Sequence, residues 1–266
     1  MILFNLLPPI SYELGAAVTG WVAKTLYTKA VEDYKEKHVN IVFGKAHNIK
    51  QTNIYVGVFK PLTYDDLSPC DHTELLKQNI IDEKTITTTP VPMYSDVIVK
   101  DDYDAAANII TMLNQKRYRN VSLVSDVAFI DSNGDSLNIS IGGPRSNHIT
   151  KYILSHVKEI FEINDEASVR TLWSIRLNSK EFKPSSRGGF AYIIKKTLLE
   201  DGNKSIFIAL AGDSASSTRY IAQYASKEKN IKMISLESKG SDFILLLKED
   251  SSFGKNKWDI VEMVSI

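Results

Sequence analysis

Two stretches of the chain share one pattern, in which an apolar run is followed by small and polar residues and then by a helical pattern. In the first, apolar residues 137–141 lead through the Gly-Gly-Pro turn 142–147 to a helix that begins near His148. In the second, apolar residues 205–210 lead through the polar turn 212–218 into another helix. Successive strand-turn-helix units predict a parallel sheet with a ligand crevice at the carboxyl ends of its strands.

The remaining pattern predicts an α/β fold with a Rossmann-like mixed, mainly parallel sheet and an N-terminal helix. Short apolar or alternating runs predict further strands at residues 40–43, 53–59, 95–99, 120–124, 170–177, 190–197, 231–237, 242–248 and 258–266. Helical patterns cover residues 72–79, 103–115, 148–160 and 218–227. Before the first turn, two interpretations stay open: residues 127–130 form a hairpin with 137–141, or residues 125–129 form a short helix.

The N-terminal part predicts an amphipathic helix at residues 11–36. Its apolar side is formed by Leu14, Val18, Trp21, Val22 and Leu26. Glu13 and Lys24 enclose a stretch of uncharged residues that is too short for a spanning helix, which needs about twenty apolar residues. We therefore expect this helix to pack on its own domain or on another subunit of a homo-oligomer, or to attach to a membrane surface. The predicted division is a helical segment at 1–38 and an α/β ligand-binding domain at 39–266.

The charge balance and the cysteine content exclude several classes of protein. Thirty-two Lys and Arg residues match thirty-two Asp and Glu residues, so the net charge is zero and no nucleic-acid partner is expected. The single cysteine, Cys70, excludes an internal disulfide and is typical of a cytoplasmic protein. The five histidines lack the spacing of a zinc motif, so neither a metal nor another cofactor is predicted.

The first turn combines groups suited to a ligand: Gly142, Gly143, Arg145, Ser146 and Asn147. The glycines let the backbone approach a ligand closely, and the guanidinium of Arg145 offers forked donors to a phosphate or carboxylate. Ser146 and Asn147 suit ribose or phosphate oxygens, although both residue types also cap helices in the absence of a ligand. We expect ligand contact at this turn, with a purely structural turn as the alternative.

The second turn contributes Gly212, Ser214, Ser217 and Thr218 as candidate ligand-binding residues, with Asp213 among them. Hydroxyl and N–H groups at the start of a helix suit phosphate or sugar. The carboxylate of Asp213 repels phosphate but accepts a hydrogen bond from a ribose hydroxyl. This mixed polarity favours a nucleoside or sugar over bare phosphate.

Two aspartates are the candidate catalytic residues. Asp213 lies in the second turn, and Asp126 follows the predicted strand 120–124. Both are expected near the crevice, where a carboxyl group can act as an acid or base. A structural or ligand-binding role is the alternative that we favour for each of them.

The second turn and its helix also carry a resemblance to a known family. Asp213-Ser214, followed by Ser-Thr-Arg-Tyr-Ile-Ala-Gln-Tyr-Ala at 217–225, resembles the Asp-Ser-Gly-Thr-x-Phe-Glu-x-Gly-Tyr-Ala stretch of nucleoside deoxyribosyltransferases. The resemblance implies a Rossmann-type fold, a nucleoside pocket and cleavage of an N-glycosidic bond. Ile221 stands where that family has its nucleophilic glutamate, so the resemblance implies a pocket that lacks the family's nucleophile.

Three hypotheses for the function follow from these patterns. The first is a protein that binds a nucleotide or nucleoside in a sensor, regulatory or assembly role. The second is an enzyme that cleaves or transfers an N-glycosidic bond of a nucleoside, a nucleotide or NAD. The third is a structural scaffold whose pocket is unused.

Overall fold

The computed structural model describes residues 10–59, 97–126, 135–164, 174–183, 188–200, 202–250 and 257–266. The helices in these ranges are α1 (Ile10–Phe43), α2 (Lys100–Gln115), α3 (His148–Ser155), α4 (Ala215–Ser226) and α5 (Glu228–Ser238). The strands are β1 (Gln51–Val56), β2 (Val58–Phe59), β3 (Val97–Ile98), β4 (Val121–Ser125), β5 (Ser136–Ile141), β6 (Phe161–Asn164), β7 (Ser174–Leu177), β8 (Lys180–Phe182), β9 (Phe190–Glu200), β10 (Asn203–Gly212), β11 (Phe243–Asp250) and β12 (Lys257–Ser265). The predicted helix 72–79 and Cys70 lie outside the described residues.

A seven-stranded sheet forms the centre of a mixed α/β fold, in the order β12-β11-β9-β10-β5-β1-β4. The adjacent strands β10, β5, β1 and β4 are parallel, as the repeated strand-turn-helix pattern predicts. The pairings of β9, β11 and β12 are antiparallel, so the sheet is mixed. The chain turns back between β9 and β10 through Gly202, whose φ of +80° favours glycine, and so short a connection joins antiparallel strands.

Helices cover both faces of the sheet because successive side chains of a strand point to opposite sides. On β10, Ile206 and Leu210 belong to the core beneath α2, α4, α5 and the end of α1. Phe207 and Ala209 belong to the core beneath α3 and the small sheet β6-β7-β8. The helices that follow β5 and β10 therefore leave the sheet toward opposite faces.

Residues 231–237, which the sequence predicts as a strand, belong to helix α5. The buried side chains of α5 recur at helical spacings of three and four, at Ile231, Ile234, Ser235 and Ser238. The prediction was wrong because serine occupies two of these buried positions. A small polar residue in the core hides the helical period from a pattern of hydrophobicity.

Residues 40–43, also predicted as a strand, form the last turn of α1. Val39 and Phe43 are buried in the core, and the Nζ of Lys195 donates a hydrogen bond to the carbonyl oxygen of Ile41 at 2.8 Å. This packing and the cation at the helix end outweigh the strand preference of β-branched residues. As a result, α1 continues across the predicted domain boundary.

Two local predictions around the first turn also change. Helix α3 ends at Ser155, short of residue 160, because tight turns follow it before β6 begins. The predicted hairpin partner, residues 127–130, lies outside the described residues. Strand β5 is nevertheless paired along both edges, with β1 and β10, so a hairpin with residues 137–141 is excluded.

The middle of α1 stands away from the sheet. Trp21, Leu26 and Tyr27 are 69%, 63% and 73% exposed. Trp21 and Leu26 of the predicted apolar side therefore do not pack on the described part of their own domain, and contact with another subunit or a membrane surface stays a prediction. The described side chains of α1 that belong to the core, Val39, Val42 and Phe43, lie near its end. Exposed apolar stripes are typical of contact surfaces. Among the helices described, none has the length and apolar character to cross a membrane.

Candidate functional site

The two polar turns meet at the carboxyl ends of β5 and β10, which are adjacent and parallel. A Cβ atom placed on Gly143 would lie 3.4 Å from the carbonyl oxygen of Gly212, so the backbones of the two turns lie side by side. Because α3 and α4 leave toward opposite faces of the sheet, a crevice remains between the turns. Open α/β sheets commonly bind ligands at such a position.

A cleft lies between the turns, and the space within it is about 830 Å³ when its open mouth is counted. Clefts at this position of an α/β sheet commonly hold small-molecule ligands. Its apolar wall consists of Ile163, Ile175, Phe190 and Tyr192. Its polar side chains include Asp102 of α2, Arg145 and Ser146 of the first turn, and Asp213, Ser214 and Thr218 of the second.

The backbone of the first turn needs glycine at its start. Gly142 has a φ of +115°, which other residues rarely adopt. The hydroxyl of Ser146 donates to the carbonyl oxygen of Gly143 at 3.2 Å and so closes the turn. The side chain of Arg145, in contrast, is exposed at the mouth of the cleft. Arg145 is thus the cation of the turn that can reach a ligand.

Asn147 uses its whole amide group to join three elements. Its Nδ2 donates to the carbonyl oxygens of Tyr55 and Ile141 at 3.1 and 3.0 Å. Its Oδ1 accepts from the backbone N–H groups of Ile149 and Thr150 at 2.9 and 3.2 Å, which caps α3. Asn147 is only 1% exposed and does not line the cleft. Its geometry is that of a structural cap.

Asp126 occupies the same helix end. Its Oδ2 accepts a hydrogen bond from the backbone N–H of His148 at 2.8 Å, and the residue is 4% exposed. Asp126 is not among the residues that line the cleft. Asn147 and Asp126 therefore accept the first N–H groups of α3, so the protein itself caps this helix.

The second turn holds Asp213 in a fixed orientation. The hydroxyl of Ser217 donates to Asp213 Oδ1 at 2.8 Å, and the hydroxyl of Ser214 caps α4 by accepting from the N–H of Ser217 at 3.2 Å. A Cβ atom on Gly189 would lie 2.6 Å from Asp213 Oδ1, and one on Gly212 would lie 2.3 Å from the Cβ of Ser217. A side chain at Gly212 would clash with the backbone of α4, and one at Gly189 would displace the carboxylate of Asp213.

Asp102 is the carboxyl group that the sequence does not reveal as part of the site. It lies in the first turn of α2, is 4% exposed and lines the cleft, with Oδ2 3.4 Å from the Cβ position of Gly142. Burial and the nearby charge of Asp101 raise the pKa of Asp102 to about 6. Asp101 itself pairs with Arg219 at 2.7 Å. The cleft therefore contains one carboxyl group that is protonated in mildly acidic solution.

The structure brings most of the candidate site residues to the cleft and leaves three outside its lining. Those that line it are Gly142, Gly143, Arg145, Ser146, Gly212, Asp213, Ser214 and Thr218. Those outside are Asp126, Asn147 and Ser217, which hold the turns and helix starts. Sequence reasoning missed Asp102 because acidic residues at a helix start are common for local reasons.

Ile221, which replaces the glutamate of the similar family, is buried in the core beneath α4. It does not line the cleft. Among the described residues that line the cleft, the carboxyl groups are those of Asp102 and Asp213.

The fold and the cleft define a mixed α/β protein with a cleft at the carboxyl ends of its parallel strands. Comparison of the chain with protein-family models, curated proteins and solved structures gives no match. Within the described ranges, no three His, Cys, Asp or Glu side chains gather in a way that could hold a metal ion.

Proposed function

We propose that the protein binds a nucleoside- or nucleotide-type small molecule in this cleft, in the manner of Rossmann-like folds, as a sensor, regulatory or assembly module. The observation that carries the proposal is the contact between the two turns, Gly143 against Gly212, at the ends of adjacent parallel strands. It gives a single ligand access to both turns at once.

The distribution of polar and apolar groups supports a nucleoside as the core of the ligand. Phe190 and Tyr192 belong to the apolar wall, against which a heterocyclic base can pack. The carboxylate of Asp213 is held by Ser217 and suits the hydroxyl groups of a ribose. In the same proposal, the exposed side of α1 contacts a second copy or a membrane surface.

Binding is tested by calorimetric titration with ribonucleosides and the matching 2′,3′-dideoxynucleosides. We expect the ribonucleosides to bind more tightly, because the hydroxyl groups donate to the carboxylate of Asp213, and the preference to shrink in Asp213→Asn by about 1–2 kcal/mol. Asp259→Asn, on the exposed strand β12, is the matched control and keeps the preference. The absence of binding by every nucleoside and nucleotide of the series would overturn the proposal.

A second candidate function is cleavage of an N-glycosidic bond, and the observation that favours it is the raised pKa of Asp102, about 6. A carboxylic acid with that pKa can protonate the nitrogen of a departing base while water adds to the anomeric carbon. We expect incubation with nucleosides, nucleotides and NAD to release a free base, and Asp102→Asn to reduce that release at least a hundredfold. Asp104→Asn is the control, because Asp104 lies two residues further along α2 and is half-exposed.

The readout is chromatography of the reaction mixture. Ligand binding without any free base contradicts the enzyme and leaves the binding protein. Release of base at the same rate in Asp102→Asn assigns the chemistry to another residue. A chain that binds none of these molecules corresponds to the third hypothesis, a structural scaffold with an unused pocket.

A further inference from the structure

A second groove adjoins the cleft on the outer side of α3. It runs between the exposed face of α3 and strand β6, and it shares Pro144, Arg145 and Ile163 with the cleft. Its floor is formed by Leu154 and Phe161. The cleft and the groove are therefore continuous, and the side chain of Arg145 lies at their border.

The groove is lined by basic side chains. Arg145, Lys151 and Lys158 are exposed along it, and His148 lies on the same face of α3, one turn before Lys151. Among the described residues that line the groove, the carboxylate is that of Glu162, which forms an ion pair with Arg176. Within this part of the chain, three permanent positive charges thus face the groove, although the chain as a whole has no net charge.

The interior of the cleft has the opposite character. Asp213 stands at the start of α4, Asp102 lies in the wall, and Asn147 and Asp126 take up the N–H groups at the start of α3. Carboxylates repel a phosphate group in a partly buried site, where solvent screens charges weakly. An anionic group on a ligand in the cleft is therefore directed away from the interior and toward Arg145 and the groove.

We propose that the groove binds the phosphate of the same ligand whose base and sugar lie in the cleft, so that the ligand is a phosphorylated nucleoside. This inference rests on the proposed function and narrows its ligand class. Arg145 bridges the two parts, because its guanidinium can donate two parallel hydrogen bonds to phosphate oxygens. Lys151 and Lys158 add charge further along the groove.

The test compares each nucleoside with its 5′-monophosphate by calorimetric titration of the full chain. We expect the monophosphate to bind at least about tenfold more tightly than the matching nucleoside, as one charged hydrogen bond provides. The ratio of the two dissociation constants should fall toward one in Lys151→Gln and Lys158→Gln, and more strongly in Arg145→Gln. It should also fall between about 0.05 M and 0.5 M salt, because exposed charges are screened.

Lys229→Gln is the matched control, since Lys229 is an exposed lysine on α5, on the opposite face of the sheet. It should leave the ratio unchanged. Inorganic phosphate alone provides a further arm, and it should compete with the monophosphate and not with the nucleoside. Because all four side chains are exposed, each variant is expected to keep the melting temperature of the parent, which checks folding.

The outcomes separate this inference from the function on which it rests. Nucleosides that bind as tightly as their monophosphates, or more tightly, overturn the phosphate groove and leave the nucleoside site in place. A ratio that Lys229→Gln lowers as much as Lys151→Gln also overturns it, because the effect then reflects overall charge. If neither compound of any pair binds, the proposed function fails and the phosphate groove fails with it.

Discussion

Asp102→Asn is expected to make the protein more stable at pH 8, by about 3 kcal/mol. Burial raises the pKa of Asp102 from its usual value near 4 to about 6, so the folded chain holds this proton more strongly than the unfolded chain does. The free energy of unfolding therefore falls as the pH rises from about 4 to about 6, and the loss is complete above about 7. Asparagine has a similar shape and does not ionise, so the variant avoids the cost of burying a charged carboxylate.

Urea denaturation at pH 3.5 and pH 8 measures this effect. The two chains should have nearly equal stability at the lower pH, where the carboxyl group is mostly protonated in both the folded and the unfolded chain, and should diverge at the higher one. Asp104→Asn is the control, because Asp104 forms an exposed ion pair with Lys100 and such pairs contribute little. A parent and an Asp102→Asn variant with parallel pH profiles would show that the carboxyl group is hydrated in the fold.

A gain in stability at Asp102 would also bear on function. A buried carboxyl group that destabilises the fold is kept when a site needs it, and replacing such a residue commonly exchanges activity for stability. We therefore expect the affinity of the parent for its ligand to change across pH 6, and the affinity of Asp102→Asn to be nearly constant over the same range. In a scaffold with an unused pocket, a buried carboxyl group that destabilises the fold would have no function.

The parts of the fold that the sequence predicts correctly are those set by local signals. Gly142, Gly143 and Gly212 interrupt apolar runs, and the residues after them start helices. These signals suffice to place two strand-turn-helix units in parallel. They also suffice to predict that the turns lie at the same edge of the sheet, because parallel strands share their carboxyl edge.

The parts that the sequence does not reveal depend on contacts between distant segments. Asp102 reaches the cleft because α2 packs beside the first turn, some forty residues away in the chain. The apolar wall combines Ile163 and Ile175 of the small sheet with Phe190 of the central sheet. The end of α3 is a further case, because tight turns after Ser155 end the helix before residue 160 and β6 then pairs with β7.

Asn147 illustrates how one polar side chain can be assigned two opposite roles. From the sequence it is a candidate for ligand contact, since amides suit sugar and phosphate oxygens. In the fold, its amide instead joins β1, β5 and α3, and the hydroxyl of Ser140 donates to the same Oδ1 at 2.7 Å. The sequence cannot reveal the structural role because Tyr55 is far from Asn147 along the chain. The carbonyl oxygen of Tyr55 comes within reach of Asn147 when β1 pairs with β5.

Asn147→Ala is accordingly expected to lower the free energy of unfolding by about 3–5 kcal/mol. The variant loses the cap of α3, which is worth about 1 kcal/mol in a typical helix, and it leaves the carbonyl oxygens of Tyr55 and Ile141 without this donor in a buried site. Urea denaturation measures the change, and Asn114→Ala, at an exposed position of α2, is the control that should lie within about 0.5 kcal/mol of the parent.

Asn147→Ser keeps the measurement informative if the alanine variant does not fold. A serine can still cap α3 but cannot reach both carbonyl oxygens, so we expect it to recover about half of the lost stability. The recovery separates the capping bonds from the bonds to β1 and β5. If Asn147→Ala lies within about 1 kcal/mol of the parent, the network of Asn147 contributes little, and the turn is held by its other hydrogen bonds, such as that from Thr150 Oγ1 to the carbonyl oxygen of Gly142.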